Sequence, residues 1–139
     1  MKKTFCILVS FVLLLCMLCG CGTDVVQNDL WENALYNEDT ELGTGGKTII
    51  LEVVAEDKSV AFTIKTDKDN LEDALTEHGL ISGEKGPYGM YVKFVNGIEA
   101  DYDKTKAYWS LSKNGEYMTT GVGDTVIDDG EKYEFTYMK

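Results

Sequence analysis

The chain has 139 residues, with thirteen Lys, no Arg, one His and 24 acidic residues, for a formal net charge of −11. That balance excludes nucleic acid as a partner class, because phosphate neutralisation needs clustered Lys and Arg, and it excludes electrostatic docking on anionic lipid on the same ground. An aromatic content of 11% excludes a disordered acidic chain, so composition describes an acidic folded domain and leaves its function to motifs.

The N-terminus has the layout of a secretory signal. Met1-Lys2-Lys3-Thr4 is basic, and Phe5 to Leu18 is an apolar run of 14 residues, short of the ~20 that a membrane-crossing helix needs. Leu18-Cys19-Gly20-Cys21 resembles the bacterial lipobox. The resemblance implies cleavage between Gly20 and Cys21, with a diacylglyceryl group on the Cys21 thiol. Cys16 and Cys19 are poorer lipid sites, because Leu15 and Leu18 stand where a small residue is wanted. All four Cys lie between residues 6 and 21, so the body of the chain has no disulfide framework and must be held by its core. Residues 1–20 are therefore expected to be a lipoprotein signal peptide. The mature chain of 139 − 20 = 119 residues would sit on the outer face of the bacterial cell membrane, with two acyl chains giving stable anchoring.

Residues 21–46 read as the lipidated Cys and a flexible linker, since residues 22–46 carry four Gly, six acids and no sustained period. If flexible, this stretch reaches about 25–30 Å. Leu30, Trp31, Ala34 and Leu35 can form a short amphipathic turn able to dock on the domain or on a partner.

Residues 47–139 read as the folded unit. Thr48–Val54 and Val60–Thr66 alternate as strands, with Ile49, Leu51 and Val53 on one face and Val60, Phe62 and Ile64 on another, around a polar hairpin connection. A short helix follows: Asp69 is the expected N-cap with Glu72 three residues on, Leu71, Ala74, Leu75 and His78 recur at helical spacing, and Gly79 suits a left-handed C-terminal cap. Met90, Val92 and Phe94 alternate with Tyr91, Lys93 and Val95 before an Asn96-Gly97 turn. Ala107, Trp109 and Leu111 share one strand face, and Asn114-Gly115 predicts a type I′ hairpin. Tyr133, Phe135 and Tyr137 line one side of the last strand. This order predicts an α+β fold, a β-grasp-like mixed sheet with one short α-helix.

The sequence offers little chemistry. His78 stands alone at a helix C-terminus, where the dipole favours a surface cation, and no second His or remaining Cys completes a zinc site. Asp67-Lys68-Asp69-Asn70 opens like a calcium loop but meets Glu72 and His78 where Gly and an acid are needed. Asp124, Asp128, Asp129 and Glu131 could hold Ca²⁺ weakly, but the Asp129-Gly130 pair reads as turn chemistry and the group as a solvated turn. There is no nucleophile elbow, metal-protease His pair or phosphate loop. The expectation is a protein that is not an enzyme, with no metal site and no required cofactor. Ten aromatics lie between residues 88 and 137, and Tyr108 and Trp109, being adjacent in a strand, point to opposite faces. An exposed aromatic strip suits a flat apolar ligand or a protein partner.

Leu71-x-x-Ala74-Leu75, Tyr88-Gly89-x-Tyr91, Val95-Asn96-Gly97, Tyr108-Trp109-x-Leu111, Asn114-Gly115-Glu116, Gly121-Val122 and Asp129-Gly130-Glu131 follow one another in order. This set resembles the transcobalamin-like C-terminal domain of bacterial surface proteins and lipoproteins. In eukaryotic cobalamin carriers, the domain of this type closes over cobalamin held against a large helical barrel, for which this chain has no room. The resemblance implies a binding module with Tyr108, Trp109 and Leu111 on the ligand-facing strand, a corrinoid as the named ligand, and delivery to an importer. The alternative is a surface scaffold or adhesion module that binds protein or glycan. If Cys21 carries the lipid, Cys21→Ala abolishes metabolic fatty-acid labelling of the protein, and labelling that persists in this variant contradicts the assignment.

Overall fold

The computed structural model describes residues 29–139. The expected signal peptide, Cys21 and the first part of the expected linker lie outside the described residues. From Asp29 onward the chain is already part of the fold. The Asp29 carboxylate caps a 3-10 turn, Leu30–Asn33, by accepting from Trp31 N–H at 3.0 Å. Trp31 is buried and donates its indole N–H to Ala55 C=O at 3.0 Å. Tyr36 packs edge-on against Phe62 at 5.5 Å. β1 (Thr40–Gly43) then pairs parallel with the strand that begins at Lys58. The boundary expected at residue 47 is thus corrected: residues 29–46 pack on the domain, because Trp31 and Tyr36 bring apolar area to it that a free linker would leave in water.

β2 (Lys47–Ala55) and β3 (Lys58–Thr66) form the predicted hairpin, closed at Glu56-Asp57 with Glu56 at φ +57°. Ile49, Leu51, Val53, Val60, Phe62 and Ile64 are all buried, as the alternation requires. α1 (Leu71–Thr76) buries Leu71, Ala74 and Leu75. Its cap is Asn70 rather than Asp69: Asn70 Oδ1 accepts from Asp73 N–H at 2.8 Å. The reason is tertiary. Asn70 bridges Val126 and Leu71 N–H donates to Thr125 C=O, so the chain stays extended through residue 70. The C-terminal end is as expected, with Gly79 at φ +67° and Leu80 N–H returning to Leu75 C=O. His78 is half-buried rather than free on the surface. Its ring lies over β1, where a Cβ on Gly43 would stand 2.8 Å from Nε2.

A second sheet follows, made of β4 (Ile81–Gly86), β5 (Gly89–Val95) and β6 (Ile98–Glu99). Its register contains a bulge: Ser82 faces Phe94 and Gly83 faces Val92, which leaves Lys93 as the extra residue. The alternation expected for β5 is therefore corrected at its end, where Val95 turns inward and Phe94 outward. Gly83 permits the bulge, since a Cβ there would meet Tyr91 C=O at 1.9 Å. The Asn96-Gly97 turn has both residues at positive φ, +50° and +78°. Asn96 is fully buried and zipped to Tyr36, accepting from its N–H at 2.9 Å and donating to its C=O at 2.8 Å.

A second short helix not read from the sequence, α2 (Tyr102–Thr105), precedes β7 (Tyr108–Lys113). Asn114-Gly115, at φ +49° and +86°, turns β7 into β8 (Glu116–Tyr117), and β9 (Lys132–Met138) closes the chain. β9 lies parallel to β2 and antiparallel to β7, giving a six-stranded mixed sheet in the order β1-β3-β2-β9-β7-β8. The fold is α+β as expected, with two sheets and two short helices among the described residues. Among the described residues no helix is long and apolar enough to cross a membrane. Truncating Trp31→Ala should cost about 3–5 kcal/mol in denaturant unfolding, and a near-neutral result would show residues 29–36 to be an appendage.

Candidate functional site

The chain folds two sheets around one opening. β5 forms one wall, β7 the opposite wall, and the stretch from Tyr117 to Val122 the third, with Phe135 of β9 at the floor. The cleft measures about 420 Å³, within the range of small-molecule sites. Its lining holds no Asp, Glu, Lys or His. In a chain of net charge −11, that makes it a neutral, aromatic and thioether-lined patch.

All three residues expected from the sequence stand at this cleft, in unequal roles. Trp109 is only 8% exposed. Its indole donates to Lys93 C=O at 3.3 Å, and its ring is held edge-on by Tyr137 at 5.5 Å and Phe135 at 6.4 Å. Leu111 is equally buried, so these two make the cleft's inner surface. Tyr108, on the opposite strand face, is 40% exposed and forms rim. The bulge at Lys93 ties the two walls together, because the carbonyl that receives Trp109 belongs to the extra residue.

The sequence reading missed Tyr91, Tyr102 and Tyr117, which are exposed on the same rim, and the methionines Met90 and Met118. Tyr102 is placed by Asp101. This nearly buried carboxylate caps α2 by accepting from Asp103 N–H at 3.0 Å and Lys104 N–H at 3.4 Å, and it pairs with Lys93 Nζ at 3.4 Å. Burial pushes the Asp101 carboxyl up, but the two N–H groups and Lys93 outweigh it and hold it below the ordinary Asp range. Lys106 Nζ then lies 4.9 Å over the Tyr102 ring. Asp101-x-x-Lys104 is the signal that could have located this helix, as an N-cap acid with a basic last turn.

The acidic turn serves the fold. Asp129 Oδ1 accepts from Thr48 N–H at 2.6 Å. Glu131 accepts from Asp128 N–H and the Tyr133 hydroxyl and pairs with Lys113 at 2.6 Å. Burial pushes its carboxyl up, yet these partners keep it below the ordinary Glu range. Among the described residues, no three His, Cys, Asp or Glu side chains converge on a metal position.

A mixed α+β fold with this two-sheet arrangement is shared with other proteins. Haptocorrin in complex with Cbi superposes with a TM-score of 0.54 at 20% identity, covering 70% of this chain and 26% of haptocorrin. That likeness is one of fold, and the part of haptocorrin it spans is about a quarter. A candidate metal-binding protein from Ruminococcus gnavus ATCC 29149 superposes with a TM-score of 0.64 at 30% identity, covering 68% of this chain and 98% of that one. The chain belongs to the family described as a domain of unknown function (DUF4430), whose model matches residues 68–139. No curated protein matches the sequence. The matched region contains α1, both walls of the cleft and β9, so the cleft belongs to the family domain, while Trp31, β1 and the β2–β3 hairpin precede it.

Proposed function

We propose that this chain is a non-enzymatic binding module, anchored through Cys21 at the outer face of the membrane, whose cleft captures a flat apolar small molecule. The carrying observation is the cleft itself, about 420 Å³ of neutral aromatic surface in a strongly acidic chain. A corrinoid is the named candidate, for hand-over to an importer. Two likenesses support it. Haptocorrin, which shares the fold, is bound to Cbi, and the R. gnavus relative is a candidate metal binder. A metal held inside an organic macrocycle reconciles that relative with a cleft lined by aromatics rather than by His, Cys or carboxylates. An open cleft leaves part of such a ligand uncovered, so the affinity of the isolated protein is expected to be weak.

The scaffold or adhesion reading finds little at the ends of the six-stranded sheet, where β1 is four residues long and β8 two, since short edges recruit partner strands poorly; the edges left to it are β4 and the part of β7 that β8 does not cover.

The chain has two Trp, and Trp31 is structural, so the mature protein with Trp31→Phe reports Trp109 alone. Titration with dicyanocobinamide should quench Trp109 fluorescence saturably, with a Kd in the micromolar range or weaker, and Tyr108→Ala should weaken it further. Absence of both quenching and binding heat removes the corrinoid and leaves the scaffold reading in front.

A further inference from the structure

β7 is paired on one side for its whole length and on the other for less than half of it. Residue parity decides which groups face where. Asn114 N–H donates to Lys132 C=O, and the β7–β9 register places Ser112 opposite Glu134 and Ser110 opposite Thr136, so even-numbered residues turn their backbone toward β9. Odd-numbered residues turn toward β8: Lys113 faces Glu116, and Leu111 C=O accepts from Met118 N–H at 2.9 Å. There the pairing stops. Gly121 C=O accepts from Asp124 N–H at 3.2 Å and from the Thr125 hydroxyl at 2.8 Å, which draws the chain after Met118 away from β7. Leu111 N–H and both backbone groups of Trp109 are left without a partner among the described residues, and Thr119 and Thr120 on the diverging wall are in the same condition.

Unpaired backbone donors and acceptors on two stretches that line one cleft specify a particular guest. An apolar ring system satisfies none of them. A peptide backbone, with one N–H and one C=O per residue on alternating sides, satisfies them as an added strand. We propose that the cleft receives a short extended peptide segment of a partner protein, which pairs with β7 by exchanging N–H···O=C bonds with Trp109 and by accepting a hydrogen bond from Leu111 N–H at one of its carbonyls.

Three constraints define the segment. From Tyr108 to Leu111 the edge runs about 10 Å at a strand's rise, which matches three or four residues. The lining carries no charged side chain, so the inserted residues are uncharged. Tyr91, Tyr102, Tyr108 and Tyr117 on the rim offer aromatic faces to the guest's alternate side chains. A second copy of this chain is a poorer guest, because pairing two β7 edges brings together two chains of net charge −11. The peptide and the small molecule are competing occupants of the same cleft, so this inference does not rest on the small-molecule reading.

The probe is acetyl-Val-Thr-Val-Thr-amide, titrated into the ¹⁵N-labelled mature protein. Saturable shifts of the Trp109 and Leu111 amide resonances, with smaller shifts of Ser110 and Ser112, are expected. N-methylating one alternate pair of the peptide's residues should weaken binding about tenfold, the loss expected when edge hydrogen bonds go, while N-methylating the other pair should not. Equal effects of the two methylated peptides, or no shift with the parent peptide, overturn the proposal. So does a free protein that sediments as a dimer with the Trp109 amide already protected. Dicyanocobinamide run in parallel separates the two readings: quenching without peptide shifts overturns strand addition alone, and peptide shifts without quenching support it while the corrinoid falls.

Discussion

The structure depends on where the last strand goes. β9 is inserted between β2, to which it runs parallel, and β7, to which it runs antiparallel. It joins the early β2–β3 hairpin to the late β7–β8 hairpin, and without it the two halves have no common sheet. Its inward residues do this by burial: Tyr133 and Phe135 are almost wholly enclosed, each worth about 1.5–3 kcal/mol on area grounds. The Tyr133 hydroxyl cannot be left unpaired at that depth, and Glu131, itself paired with Lys113 of β7, accepts it. Because Phe135 also packs against Trp109, the strand that closes the sheet is the one that sets the inner surface of the cleft.

The second sheet is fastened to this frame by polar contacts that only a few residues can make. Asn96 sits at positive φ with its amide zipped to Tyr36, so the turn after β5 and the segment before β1 hold each other. Lys93 does the same on the cleft side. Its carbonyl receives the Trp109 indole, and its ammonium reaches Asp101 at the cap of α2 and Glu84 on β4. One bulged residue therefore relates the wall formed by β5, the inner surface provided by Trp109 of β7 and the rim residue Tyr102.

The sequence made some of this legible and hid the rest for identifiable reasons. The β2–β3 hairpin, the two Asn-Gly turns and the Gly79 cap were readable, because alternation and positive-φ chemistry are local signals. β4 was not: Ser82-Gly83-Glu84-Lys85-Gly86 has no apolar face and is a strand only because β5 pairs with it. The bulge at Lys93 is likewise a two-strand property, and it turned out Phe94, which simple alternation places inside. Trp31 and β1 were read as linker because their order comes from residues far along the chain, Ala55 and the β3 edge. Of the cleft, Tyr108, Trp109 and Leu111 were visible through a family pattern. Tyr91, Tyr102 and Tyr117 join them only through the bulge, a helix cap and a hairpin.

The free half of β7 is a strand edge left open inside a neutral cleft. Amide hydrogen exchange of the unliganded protein tests this most directly. The Trp109 and Leu111 N–H groups are predicted to exchange orders of magnitude faster than those of Ser110 and Ser112, which are bonded to β9 in the same strand. Uniform protection from Tyr108 to Lys113 would contradict it, because something in the free protein would then already occupy the edge.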